Sequence, residues 1–216
     1  MTDIVPGTRE PDTAAIPASE PPWVERRLGA LLLVAGLIGL AASAELAVDK
    51  FRLLENPLYV PACSLGEVVD CGSVMRSEQS EAFGFPNPFI GIAGFSALLA
   101  TGLILVTAGR LGRAFWLVLQ AGLLFAVVFV HWLMFQTLYR IGALCPFCMA
   151  VWAVTIPAFW YVTLHNTRSL AERATPIGTF AAGLHRNHGI VVTAWLLLVA
   201  GLVAERFWAP WDSIFS

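Results

Sequence analysis

Cys145-Pro146-Phe147-Cys148 opens a long apolar segment, so two sulfurs spaced i, i+3 stand on one face at the mouth of a helix. That spacing suits a redox-active dithiol. A disulfide needs a Cα separation of roughly 4.4–6.8 Å, which two such residues meet with little backbone movement. Pro146 fits a first helical turn, where its missing N–H costs nothing, and the free amides there favour a thiolate. Two plainer readings stand beside this one: a pair of buried small hydrophobes, or half of a metal site. The other two cysteines of the chain, Cys63 and Cys71, have seven residues between them.

The elements that carry these sulfurs are set by composition. Of 216 residues, 57% are hydrophobic and 13% charged, and the mean hydropathy is +0.72. This is the balance of an all-α integral membrane protein with several spans. A net charge of −2 without any basic run excludes a nucleic-acid partner. Arginine far outnumbers lysine, Lys50 being the only one, a slight pointer to a GC-rich bacterial genome.

Residues 1–22 are rich in Pro, Ala, Thr and acids, without apolar periodicity, and are expected to be a disordered cytoplasmic tail. The membrane domain is expected over 23–208, with spans at about 28–48, 89–108, 114–139, 144–163 and 189–207, and a short extracytoplasmic tail over 209–216. Arg26-Arg27 and Ala42-Ser43-Ala44 give the first run a rival reading as a cleaved signal peptide, but it exceeds a signal core of roughly 7–15 residues. Residues 49–88 form a polar lid, in which Val74, Met75, Phe83 and Phe85 around Arg76, Glu78 and Gln79 suit a short surface helix. Phe85-Pro86-Asn87-Pro88 stiffens the return to the second span. The tight link at Gly109–Gly112 makes the second and third spans antiparallel neighbours. Glu45 and Asp49 are expected to be solvated at the first span's outer boundary.

With the N-terminus in the cytoplasm, Arg26, Arg27, Arg110, Arg113, Arg168, Arg173 and Arg186 gather inside, against Lys50, Arg52, Arg76, Arg140 and Arg206 outside. This orientation brings all four cysteines to the outer, oxidising side, where disulfides persist. Redox chemistry then outweighs structural coincidence.

Cys63 with Cys71-Gly72-Ser73-Val74-Met75, Phe83-Gly84-Phe85-Pro86-Asn87-Pro88 with Gly91, and Cys145-Pro146-Phe147-Cys148 follow one another in an order that resembles the vitamin K epoxide reductase family, in its bacterial disulfide-forming branch. The resemblance spans the first four segments. It implies a four-helix transmembrane bundle around a quinone, plus a fifth helix, with an extracytoplasmic lid. Cys63 and Cys71 would be the shuttle pair and Cys145 and Cys148 the active-site pair. The quinone would be menaquinone or ubiquinone, menaquinone slightly favoured, drawn from the membrane pool. The protein would sit in a bacterial cytoplasmic (inner) membrane with its cysteines facing the periplasm. Some members carry a fused thioredoxin-like domain after the fifth span; none stands in these 216 residues, so a separate thioredoxin-fold (DsbA-like) partner is expected. Animal members contact the quinone through a tyrosine four residues after the second CxxC cysteine, where this chain has Trp152, whose indole donates but does not accept.

Depth assigns roles independently. Entering from outside, the fourth segment makes Cys145 the outer sulfur and puts Cys148 about 4.5 Å deeper. A lipid-soluble acceptor is reached from Cys148, while a protein thiol arriving through water meets the lid or Cys145. In the relay so drawn, a partner thiolate attacks Cys63, Cys71 leaves and then attacks Cys145, and Cys148 is released with the helix amino terminus stabilising its thiolate. Phe89, Phe95, Trp132, Phe147 and Trp152 suit an aromatic acceptor, though such residues more often simply pack. Asn87 is the candidate donor to a quinone carbonyl, with helix capping as its alternative. His131 is a candidate proton relay, the plainer and preferred reading being a hydrogen bond within the bundle. Gln120 and Gln136 read as interhelical hydrogen-bonding groups.

Other functions remain open: vitamin K quinone or epoxide reduction, a DsbB-type oxidase, or a scaffold with structural disulfides or a four-cysteine metal site. A DsbB-type enzyme carries its CxxC in the first outer loop, and here it is in the second. No metal is assigned, since zinc requires four converging thiolates and separation and membrane depth oppose that.

Overall fold

A computed structural model describes residues 22–66, 68–107, 111–173 and 175–207 of the chain. Of the tails expected over 1–22 and 209–216, residues 1–21 and 209–216 lie outside the described residues, while Pro22 already belongs to the first helix. Five helices are long and apolar enough to cross a membrane, and no strand occurs among the described residues.

Helix α1 runs from Pro22 to Glu55, about 51 Å at 1.5 Å per residue, well beyond a hydrocarbon core of about 30 Å. It does not stop near Val48 as expected. Leu46 and Leu53, two turns apart, continue one buried face past the charged pair. The helix ends where Pro57 disfavours helical backbone for Asn56. Asp49 and Lys50 therefore lie inside α1 under the lid, 2% and 8% exposed; Asp49 is not solvated, because protein packs over this stretch, whereas Glu45 faces outward.

Helix α2, Cys71–Arg76, and a 3-10 turn, Glu78–Glu81, replace the single surface helix expected in the lid. The break comes at Ser77, whose extended backbone caps α2. Met75 turns inward while Phe83 and Phe85 remain exposed. The lid's Val69 pairs as an isolated parallel bridge with Leu144: Asp70 N–H donates to the Leu144 carbonyl (3.0 Å) and Leu144 N–H to that of Val68 (2.7 Å).

Helix α3, Pro88–Thr107, packs along α1 at close range. A Cβ added at Gly36 would stand 2.5 Å from Leu99 N, and one at Gly102 2.4 Å from Leu33 N, so these glycines set the helix spacing. Helix α4, Arg113–Gln136, runs into a π-helical turn, Thr137–Ile141, closed by Gly142 at φ +74°. Its main packing partner is α5. The short link does make α3 and α4 successive elements, but they face each other across a cavity rather than through packed side chains.

Helix α5, Pro146–Ala171, continues eight residues past the expected end and packs on α1, α4 and helix α6. α6, Pro176–Arg186, forms in the stretch read as a polar connection, started by the Thr175 side chain accepting from Gly178 N–H (3.1 Å). Helix α7, His188–Phe207, packs on α5 and against the C-terminal half of α4 through Val130, Met134 and Phe207. Helices α1, α3, α4 and α5 form the four-helix bundle, and α7 leans on its α4–α5 side.

Candidate functional site

Cysteines from two distant stretches meet above the bundle. Cys63 and Cys71 form a disulfide with Cα atoms 5.8 Å apart, and Cys145 and Cys148 are free thiols. Cys71 Sγ lies 3.3 Å from Cys145 Sγ, a contact distance for thiol–disulfide exchange. Both residues are fully buried, and Cys63 keeps 9% exposure. Leu46, Leu53 and Met75 pack around the three sulfurs.

Asp70 shapes the lid locally as N-cap of α2. Its carboxylate accepts from Gly72 N–H (2.9 Å) and from the hydroxyls of Ser64 (2.6 Å) and Ser73. Burial pushes this carboxyl up, but the hydrogen bonds from Ser64, Ser73 and Gly72 outweigh it and hold it below its ordinary value.

At the start of α5, Cys145 is the N-cap residue with extended backbone, and its side chain makes no capping bond to the helix amides; its sulfur meets Cys71 instead.

Cys148 looks the other way, into a cavity of about 890 Å³ between α3, α4 and α5, roofed by the lid. Its walls are apolar and include Phe89, Phe95, Phe125, Phe129 and Trp152; Lys50, Ser80 and Asn87 line its lid end. The volume falls in the range of small-molecule sites, and an apolar body with a few polar groups at one end matches a quinone's ring and tail.

Cys148, Asn87, Trp152, Phe89 and Phe95 share this cavity. Three other residues of the expected set lie elsewhere. Phe147 packs against the cysteine cluster, and Trp132 stacks on Phe129 at 5.8 Å without lining the cavity. His131 faces α7: its Nδ1 meets the Val127 carbonyl (2.7 Å), and its Nε2 accepts from Trp195 Nε1–H (3.1 Å). A carbonyl only accepts and an indole only donates, so the ring is the Nδ1–H tautomer with both nitrogens engaged. That leaves no free nitrogen for a proton relay into the cavity.

The Asn87 amide is largely committed to the lid. Nδ2 donates to the Gln79 carbonyl (2.7 Å) and Oδ1 accepts from Ala82 N–H (3.0 Å); its backbone carbonyl, not its side chain, starts α3 by accepting from Ile90 N–H (3.0 Å). One N–H of the amide is left for a cavity ligand. Lys50 and the Asp49–Tyr59 pair are site elements that residue types alone did not single out; the chain's one lysine, set inside an apolar helical face, was the available signal. The separation argued against a metal also fails in part: the sulfurs of Cys63, Cys71 and Cys145 lie within 4.8 Å of one another. Two of them share a disulfide and offer no thiolate.

A membrane bundle that presses a disulfide against a CxxC dithiol, with the inner sulfur on a lipid-level cavity, defines a multi-pass membrane redox protein of the thiol–quinone type. A family model described as the vitamin K epoxide reductase family matches residues 30–163, more than half of the chain, and the chain belongs to that family. The match takes in α1 from Ala30 to Thr163 of α5 and leaves α6 and α7 outside. No curated protein matches the chain.

Proposed function

We propose that this chain oxidises a thioredoxin-fold (DsbA-like) thiol protein outside a bacterial cytoplasmic membrane and passes the electrons to the quinone pool, driving disulfide formation in exported proteins. The observation that carries this reading is the 3.3 Å approach of Cys71 to Cys145, with Cys148 facing the cavity behind.

In this reading the partner's thiolate attacks Cys63, the lid sulfur with residual exposure. The Cys63–Cys71 bond breaks, a partner–Cys63 bond forms, and Cys71 leaves as a thiolate holding the electron pair. The partner's second thiolate displaces Cys63 and carries away the new disulfide. Cys71 attacks Cys145 of the oxidised CxxC, and Cys148 is the leaving thiolate. Cys63 then attacks Cys71, which re-forms the lid disulfide and releases Cys145. The outcome is an oxidised lid over a reduced CxxC, the state in the structure. Asn87, Trp152, Phe89 and Phe95 would hold a quinone, whose chemistry when bound is to take up two electrons and two protons. The arginine bias supports a cytoplasmic N-terminus.

The test uses the full-length protein in detergent with a reduced thioredoxin-fold dithiol protein and a short-chain quinone. One quinol formed per partner disulfide is expected. Partner thiols that stay reduced would leave the lid disulfide a structural bond and overturn the reading.

A further inference from the structure

The last turns of α1 carry a buried acid beside a buried base, and the two limbs of the lid hang on them. Asp49 accepts from Tyr59 Oη–H (2.8 Å), four residues ahead of Cys63. Lys50 Nζ donates to the Met75 carbonyl (2.7 Å) and to Ser80 Oγ (3.0 Å), and pairs with the Glu81 carboxylate (2.9 Å). An ammonium has three N–H groups, and here all three go to the lid. Met75 is the penultimate residue of α2, which begins at Cys71. Helix α2 is thus held on α1 near its far end by Lys50 and beside Cys71 by the Asp70–Leu144 backbone bond. Arg76 ties the limbs together by donating to the Tyr59 carbonyl (2.9 Å).

We propose that Lys50 is the positioning residue that keeps Cys71 on Cys145 once the lid disulfide has opened. The inference rests on the relay above and adds a requirement to it. During exchange Cys71 is a lone thiolate, no longer tied to Cys63, and six residues of helix do not hold a conformation by themselves. A buried cation with three partners resists release because unpairing it leaves a charge out of water. The cavity adds a second role: Lys50, Met75 and Ser80 all line its roof, so the same contacts that seat Cys71 close the lid end of the cavity. The Asp49–Tyr59 bond seats the other limb, which meets the partner.

The relay's open stage can be isolated. Cys63→Ala with Cys148→Ala leaves Cys71 and Cys145 as the only thiols, and diamide accepts the two electrons and two protons released as they join. The parent double variant is expected to form the Cys71–Cys145 disulfide rapidly. Adding Lys50→Met should slow it at least about tenfold, since small misplacements of reacting atoms cost rates of that order. Lys50→Arg, which keeps cation and donors, should recover most of the rate. Cross-linking of Lys50→Met at the parent's rate would overturn the inference. Failure of the parent itself would instead overturn the relay. Should Lys50→Met not fold, Glu81→Gln is read in its place, where slowing supports the latch and an unchanged rate overturns it.

Discussion

Cys71 and Cys145 are 74 positions apart in the chain, yet their sulfurs lie 3.3 Å apart in a pocket closed to water. Beside the Lys50 latch proposed above, the contact has two supports of different kinds. One is the backbone bridge between the lid and Leu144; the other is the N-cap geometry that turns Cys145 upward while Cys148, one turn on, faces the cavity.

Asn87→Ala is expected to loosen the lid as well as weaken any ligand. The variant loses the bonds to Gln79 and Ala82, each lost partner costing about 1–3 kcal/mol where the remaining group is shielded from water. Limited proteolysis between Gln79 and Phe85 should quicken. Asn87→Asp keeps the acceptor for Ala82 but not the donor to Gln79, and should lie between. Proteolysis at the wild-type rate in both variants would remove Asn87 from the lid's support.

His131→Leu should cost stability without stopping electron transfer. Its loss strands the Trp195 indole N–H, and hydrogen bonds of this kind within membranes are worth about 0.6–1.7 kcal/mol. Thermal unfolding should shift down modestly while thiol oxidation stays within about twofold, well under the 1.36 kcal/mol that a tenfold rate change represents. A tenfold rate loss at unchanged stability would restore the proton-relay role.

Lid docking should be insensitive to pH until strongly acid conditions. The folded-state value of Asp70 is lowered, so its stabilisation is complete above the unfolded value of about 3.9 and is lost as pH falls through the lower folded value. Hydrogen exchange of the Gly72 and Ser73 amides should therefore stay protected at pH 5–7 and open only below about 4. Asp70→Asn should remove that acid transition; an opening near pH 6 would contradict it.

The spans and the cysteines were legible because apolar run length and thiol type need no tertiary context. The upper end of α1 was not. A charged pair after Val48 reads as a helix leaving lipid, and only partners 25–31 positions away reveal why Lys50 is buried. The same limit explains His131, whose ring is fixed by Trp195, 64 positions on. Helix α6 escaped because its apolar residues, Ile177, Phe180, Ala181, Ala182 and Leu184, fall within eleven residues, too short for a span, and between flanking polar stretches. That Cys145 stands just outside α5 and Cys148 inside it follows from where the helix begins, a boundary that spacing alone does not fix.

The central claim is that electrons cross between Cys71 and Cys145. In Cys148→Ala the sulfur needed to complete the CxxC disulfide is gone, so Cys145 is left to join the lid. Non-reducing peptide mapping of that variant, purified under oxidising conditions, should show Cys71 linked to Cys145 with Cys63 free; a dominant Cys63–Cys145 linkage, or no linkage between lid and helix, would contradict the relay.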